Sequence, residues 1–288
     1  MLNIGDFEVH LINDVTTHVD GGGAFGLIPK KLWSRYFTPS DDNMIPMCQT
    51  CLYVRAHGKH ILIDTGLGTR LEDKHRRMWN IQNEGGLLRG LGVLGVQPEQ
   101  IDLVINTHLH SDHCGGNVRL AEDGKTLLPT FPNAEYVVQR REYEDAMHPN
   151  ERTSATYILS NYASLVESGQ MRLLDGDTEL LEGITGIVTE GHTPAHMSIT
   201  LESEGQSAIF LCDVSSYAVH FERLSWMTAY DVEPLKTLET KRRLQAWALE
   251  KNALLIFPHD TKRTAGYLRQ HDNLSVFLEA IDEPFVGE

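Results

Sequence analysis

Apolar positions in this chain fall in short runs broken by Gly, Pro and charged clusters, a rhythm that predicts many buried strands between a few amphipathic helices. Phe7 to Ile12 alternates loosely as a strand. Cys51 to Ala56 and His60 to Asp64 read as two strands of a hairpin around His57-Gly58-Lys59. Ile101 to Thr107, Ala134 to Gln139, Met171 to Leu174, Ile184 to Thr189, Met197 to Leu201, Ala208 to Leu211 and Ala253 to Phe257 follow as strands. Helices are predicted over the polar stretch Thr69 to Gln82, over Arg140 to Met147, and over Ser154 to Ser168, where Ile158, Tyr162 and Leu165 keep helical spacing and read as core. Pro234 to Asn252 reads as a further helix with Pro in its first turn.

Two stretches resist this pattern. Asp14 to Pro46 is rich in Gly and Pro with scattered large apolar residues, among them Phe25, Leu27, Ile28, Trp33 and Phe37. It reads as a long ordered loop that acts as a lid or a dimer contact, or that packs on its own core. Gly90-Leu91-Gly92-Val93-Leu94-Gly95 formally matches Gly-x-Gly-x-x-Gly, yet no strand precedes it and Pro98 follows it, so it reads as a helix end and turn, not a dinucleotide site.

Composition narrows the class. With 288 residues, 41% of them hydrophobic, the chain can bury a sizeable core as a single domain spanning 1–288. A formal net charge of −15 argues against a nucleic-acid surface, which needs clustered Lys and Arg. Cys48, Cys51, Cys114 and Cys212 form no disulfide framework, and the pair Cys48/Cys51 lacks a second pair to complete a structural zinc site, so that pair reads as packing thiols. With Asp6 and Glu8 early in the chain there is no signal-peptide pattern, and no run is long and apolar enough to span a membrane; a soluble cytoplasmic protein is expected.

The chemistry concentrates in Thr107-His108-Leu109-His110-Ser111-Asp112-His113-Cys114-Gly115-Gly116, directly after an apolar run. Alternate residues at a strand end share a face, so the imidazoles of His108 and His110 converge just past the sheet, while Asp112 and His113 approach from a turn. Three His and one Asp within six residues read as a metal site. This His-x-His-x-Asp-His pattern resembles the signature of the metallo-β-lactamase superfamily. The family's later ligands come in order from a Gly-His turn, an Asp at a strand end and a late His, and Gly191-His192, Cys212-Asp213 and Pro258-His259 match in that order.

The resemblance implies an α/β fold, the four-layer αβ/βα sandwich of that superfamily. It implies that His108, His110 and His192 hold one divalent metal ion, that Asp112, His113 and His259 hold a second, and that Asp213 bridges them, with Asp64 supporting the site from behind. Imidazoles and carboxylates suit Zn²⁺ and also Mn²⁺, Fe²⁺ or Co²⁺. Two such ions about 3.5–4 Å apart give a hydroxide at a pH of about 7, so no Ser or Cys nucleophile is required. Asp20 to Lys30 and Ala229 to Leu235 resemble the branch that holds quorum-quenching N-acyl-homoserine lactonases and methyl parathion hydrolase, which implies a lactonase acting on a small-molecule lactone or ester; the large apolar residues of 14–46 lead to the separate expectation of a homodimer. A phosphotriesterase or broad carboxylic esterase is the alternative within the class; a redox or non-catalytic metal-binding protein is the alternative outside it. Better-known lactonases carry a catalytic Tyr three residues after the bridging Asp, whereas Tyr217 comes four after Asp213, which leaves Tyr217 and His220 as competing catalytic candidates beside Asp112. Phe25, Leu27, Ile28, Trp226 and Met227 are expected to line an acyl groove. His196 is expected to be structural, and Cys212 to point away from Asp213 in an extended segment.

Overall fold

The computed structural model describes residues 1–81, 83–271 and 275–287. Its strands, in chain order, are β1 (Leu2–Ile4), β2 (Phe7–Asp20), β3 (Met44–Ala56), β4 (Lys59–Ile63), β5 (Leu103–Ile105), β6 (Val118–Leu120), β7 (Leu127–Pro129), β8 (Glu135–Gln139), β9 (Met171–Leu174), β10 (Thr178–Leu181), β11 (Ile184–Val188), β12 (Met197–Ser203), β13 (Gln206–Phe210), β14 (Leu254–Ile256), β15 (Ala265–Gln270) and β16 (Val276–Ile281). One seven-stranded sheet runs β1-β2-β3-β4-β5-β8-β9 and a second runs β10 through β16 in sequence order. A small ribbon, β6-β7, stands apart.

The period-2 alternation of the strands explains how the layers stack. In β3, Leu52 and Val54 face the second sheet, where they meet Ile199, Leu201 and Phe210 in a core shared by both sheets; Cys51 and Tyr53 face the other way, onto Leu87, Leu91 and Tyr162. In the second sheet Ala208 and Phe210 enter the shared core, while Ile209 and Leu211 pack under Phe221, Leu244 and Ala248. Helical segments therefore cover the outer face of each sheet, giving the expected four-layer αβ/βα sandwich.

The segment 14–46 differs from the loop expected of it. Residues 14–20 continue β2 and pair with the start of β3, from Thr16↔Cys48 to Asp20↔Met44, past a register shift between Asn13 and Thr16. Beyond that shift the two strands leave the shared core, and the β2 side, Thr16 to Asp20, turns mostly polar although pairing with the apolar Met44 to Cys48 continues. Two short helices follow, Gly21–Phe25 and Lys30–Trp33, the first capped by the Asp20 carboxylate on the N–H groups of Gly22 and Gly23. Phe25, Trp33 and Phe37 are buried with Tyr217, Val219 and Trp226, so the segment packs on a core of its own.

Three other expectations change. The helix foreseen from Thr69 shrinks to Asp73–Met78, and its last expected residue, Gln82, lies outside the described residues. Ser154 to Ser168 is not one helix: residues 154–156 form turns, Tyr157 bridges His110, and only Ala163–Glu167 is α-helical, so Tyr162 and Leu165 are buried but Ile158 is exposed. Strands β1, β6, β7, β10, β15 and β16 were not foreseen, because they are three-residue stretches or carry Gly or charged residues that break the apolar pattern.

Candidate metal centre and cleft

Every residue expected at the metal site stands where a strand or its turn ends. β5 stops at Ile105, and the chain then carries His108 and His110 into the short helix Ser111–Cys114, which presents Asp112 and His113. His192 follows β11, Asp213 follows β13, and His259 follows β14. The Gly191 backbone that turns His192 inward has φ +140, and a Cβ there would meet the Thr237 side-chain oxygen at 2.3 Å.

These side chains converge in two adjoining sets, His108, His110, His192 and Asp213 in one and Asp112, His113 and His259 in the other, with ligand atoms in each set within 4.8 Å of one another. The Asp213 carboxylate lies between the sets. Its Oδ1 stands 2.8 Å from His259 Nε2, and its Oδ2 stands 3.2 Å from His192 Nε2 and 3.4 Å from His113 Nε2. His192 Nε2 and His110 Nδ1 face each other at 3.0 Å. His113 Nε2 lies 3.6 Å from Asp112 Oδ2.

The outward nitrogens of four of these imidazoles are each held from behind. His113 Nδ1 donates to Asp64 Oδ2 at 2.9 Å, His192 Nδ1 to Asp231 Oδ1 at 3.0 Å, and His259 Nδ1 to the Cys48 carbonyl at 2.8 Å. His108 Nδ1 donates to the Thr107 hydroxyl at 3.1 Å, which in turn donates to Asp64 Oδ2 at 2.8 Å. This network assigns the proton to Nδ1 and leaves the Nε2 lone pairs aimed at the centre. Among the described residues, His108 Nε2 and His113 Nε2 are buried without any hydrogen-bond partner. Buried polar atoms go unpaired only where something else completes them, and convergent imidazole lone pairs around carboxylates fit a divalent cation.

The electrostatics point the same way. Burial, then the crowd of neighbouring imidazoles, pushes His108 and His110 well below the ordinary histidine range and keeps their rings neutral. Burial would raise Asp213, but the imidazoles of His259, His192 and His113 outweigh it and hold the carboxylate well below its usual value. His196 is structural, as expected: its Nε2 accepts from the Asp213 N–H at 3.1 Å, its Nδ1 pairs with the Thr189 hydroxyl at 2.8 Å, and burial depresses it to about 3.

The expectation for Cys212 changes. It does not lie in an extended segment but opens a 3-10 turn with φ +49, and its Sγ sits 2.9 Å from Thr107 Oγ1 and 3.5 Å from both Asp64 Oδ2 and His113 Nδ1. The thiol therefore packs beneath the rings, on their Nδ1 side, and burial keeps it protonated.

Above the centre opens a cleft of about 190 Å³. His110, Asp112, His192, Asp213 and His259 line its base, and Val19, Ala24, Met47, Leu67, Trp79 and Ala155 supply apolar walls. Tyr217 lies in the wall and His220 behind it. The Tyr217 ring stacks on Phe25 and its hydroxyl is buried with no partner among the described residues; His220, on the helix Ala218–Glu222, turns edge-on to Phe25 and Tyr217 and does not reach the cleft. None of Phe25, Leu27, Ile28, Trp226 and Met227 lines it either: Phe25 and Trp226 are buried behind the wall and Leu27 is fully exposed. Asp231 is a site residue that sequence reasoning passed over, since an Asp in a polar turn carries no signal until the fold sets it against His192.

Residues 47–259 match the family described as the metallo-beta-lactamase superfamily, and the chain belongs to it. Within that superfamily it is a metallohydrolase related to N-acyl homoserine lactonases. The lactonase of a Bacillus species is 28% identical over 229 residues, covering 75% of this chain and 82% of that protein. A probable metal-dependent hydrolase from Staphylococcus aureus superposes with a TM-score of 0.86 at 28% identity, over 98% of this chain and 100% of that one. AidC, a dizinc quorum-quenching lactonase, shares the fold at a TM-score of 0.79 and 19% identity, over 98% and 96% of the two chains. Among the described residues no helix is long and apolar enough to cross a membrane.

Proposed function

We propose that this chain is a dinuclear metal-dependent hydrolase that opens the lactone ring of N-acyl-homoserine lactones. His108, His110 and His192 would hold one divalent ion, Asp112, His113 and His259 the other, with Asp213 between them. When bound, such ions acidify water and polarise a carbonyl oxygen. The chain's own groups then carry the rest. Asp112, the partly exposed carboxylate of the cluster, takes the proton of the attacking water and returns it to the ring oxygen as the lactone opens. Tyr217 donates its otherwise unpaired hydroxyl to the oxygen on which negative charge gathers. The apolar walls take the acyl chain and exclude water from it.

The observation that carries this reading is the buried Tyr217 hydroxyl, without a partner among the described residues, in the wall of the same cleft whose base is lined by five of the seven candidate ligands. The curated lactonases among its relatives support it. The segment 14–46 supplies part of the cleft wall through Val19 and Ala24, and its exposed Leu27 and Leu32 make it the proposed contact of a homodimer. A panel of N-acyl-homoserine lactones, phosphotriesters and aryl esters, followed with a pH indicator on metal-loaded enzyme, tests the function. Lactones should turn over fastest; efficient phosphotriester cleavage with no lactone opening would replace this reading with the phosphotriesterase one.

A further inference from the structure

Glu142 is fully buried on the helix Arg140–Met147, is not one of the clustered candidate ligands, and does not line the cleft. A buried acid with no part in the chemistry is costly and calls for a reason. Its Oε1 accepts the Leu109 backbone N–H and the Tyr157 hydroxyl, each at 3.0 Å, and its Oε2 accepts the Thr193 hydroxyl at 2.6 Å. Leu109 sits between His108 and His110, and Thr193 follows His192. Tyr157 adds a second tie, because it forms an isolated backbone bridge with His110 and its ring lies 5.0 Å from the His110 ring. One carboxylate thus fastens together the two loops that deliver His108, His110 and His192. Its hydrogen bonds reach neither Asp112, His113 nor His259; His113 is held instead by Asp64 and His259 by the Cys48 carbonyl.

We propose that Glu142 is a positioning residue that fixes the spacing between the His108–His110 loop and the His192 turn, and so sets the affinity of one ion position and not the other. The proposal rests on the dinuclear reading given above. It acts through geometry, not charge. Gln at this position can remake every bond: its Oε1 accepts from Leu109 and Tyr157, and its amide donates to the Thr193 hydroxyl, which simply reverses its role.

The test is a Zn²⁺ titration of the metal-free full chain against a chromophoric chelator, with a parallel Co²⁺ titration read by absorption. Wild type should take up two ions. Glu142→Ala should keep one at wild-type affinity and bind the other about tenfold or more weakly, as loss of outer support around a metal typically does. Glu142→Gln should return to near the wild-type pair of affinities. Thr193→Val, which removes one bond and leaves the helix untouched, should weaken the same position by a smaller factor and carries the test if Glu142→Ala does not fold. Two wild-type affinities in Glu142→Ala, or in Thr193→Val where that variant stands in, equal weakening of both ions, or a Gln variant as damaged as the Ala variant would each overturn the proposal. Uptake of fewer than two ions by wild type would overturn the dinuclear reading itself, and this proposal with it.

Discussion

Replacing Tyr217 by Phe separates function from stability. The Tyr217 hydroxyl is buried and has no hydrogen-bond partner among the described residues, while its ring packs between Phe25 and Phe37 at 5.8 and 5.0 Å. An unmade buried hydrogen bond costs a folded protein about 1–3 kcal/mol. Phe keeps the ring contacts and removes the orphaned oxygen, so the variant should be more stable than wild type by about 1 kcal/mol, which raises Tm by roughly 2–4 °C for a protein near this size. The same change should lower kcat on N-acyl-homoserine lactones by about 10²–10³, the usual loss when a donor to a developing oxyanion is removed. Phosphotriesters with a good aryl leaving group should suffer less, because a departing phenolate is already stable. Calorimetry on the metal-loaded protein and pH-indicator kinetics on both substrate classes give the two readouts. A variant that melts lower than wild type and opens lactones at the wild-type rate would refute both halves of the reasoning: the hydroxyl would be a structural group with a partner, not a donor kept free for substrate.

Three further outcomes follow from named contacts. Elemental analysis should find close to two metal ions per wild-type chain and fewer at both positions in Asp213→Ala, since that carboxylate lies within reach of both sets of imidazoles; unchanged content in the variant would count against its bridging role. Gly191→Ala should cost about 3 kcal/mol, because it combines a disfavoured φ with overpacking against Thr237, and it should loosen the position of His192; chemical denaturation showing wild-type stability would contradict that assignment. Lys241 is buried, donates to the carbonyls of His220 and Trp226, and is depressed by burial from 10.5 to about 8. The unfolded chain therefore holds that proton more tightly than the folded one, so the stability of wild type relative to Lys241→Gln should rise by about 3 kcal/mol as pH climbs from about 8 to 10.5, and a flat difference would show that the group is not depressed.

The candidate ligands were legible in the sequence because strand ends are legible: each His or Asp of the set stands just past an apolar run, where the chain leaves the sheet and can spare a polar side chain. Their supporting groups were mostly not. Asp231 and Glu142 look like ordinary charged residues of a turn and a helix, and only the fold brings them to His192 and to the His108–His110 loop. The same limit explains the segment 14–46, where strand pairing outlasts the hydrophobic pattern once β2 and β3 rise off the shared core. It also explains the acyl groove: Phe25 and Trp226 are large and apolar, but they are spent on an aromatic core that props the cleft from behind, and the smaller Val19, Ala24 and Met47 face the open space.

That arrangement gives the site its rigidity. The side chains at the cleft base cannot pack apolar neighbours, yet they must be held, and the chain does so by giving four rings a fixed outer partner: Asp64 for His113, Asp231 for His192, the Cys48 carbonyl for His259, and Thr107 for His108. Asp64 serves twice, since the Thr107 hydroxyl and backbone N–H both end on it at 2.8 Å, so one buried carboxylate couples a ring from each set. Each partner orients a tautomer as well as a ring, because a proton held at Nδ1 leaves the lone pair at Nε2. The cost is a crowd of buried imidazoles packed around an ionised carboxylate, with the rings of His108 and His110 pushed well below the ordinary histidine range. Such a centre is poor as a folding core and good as a preorganised socket, and that balance is why it sits at the rim of two sheets that share an apolar core of residues such as Leu52, Val54, Ile199 and Phe210.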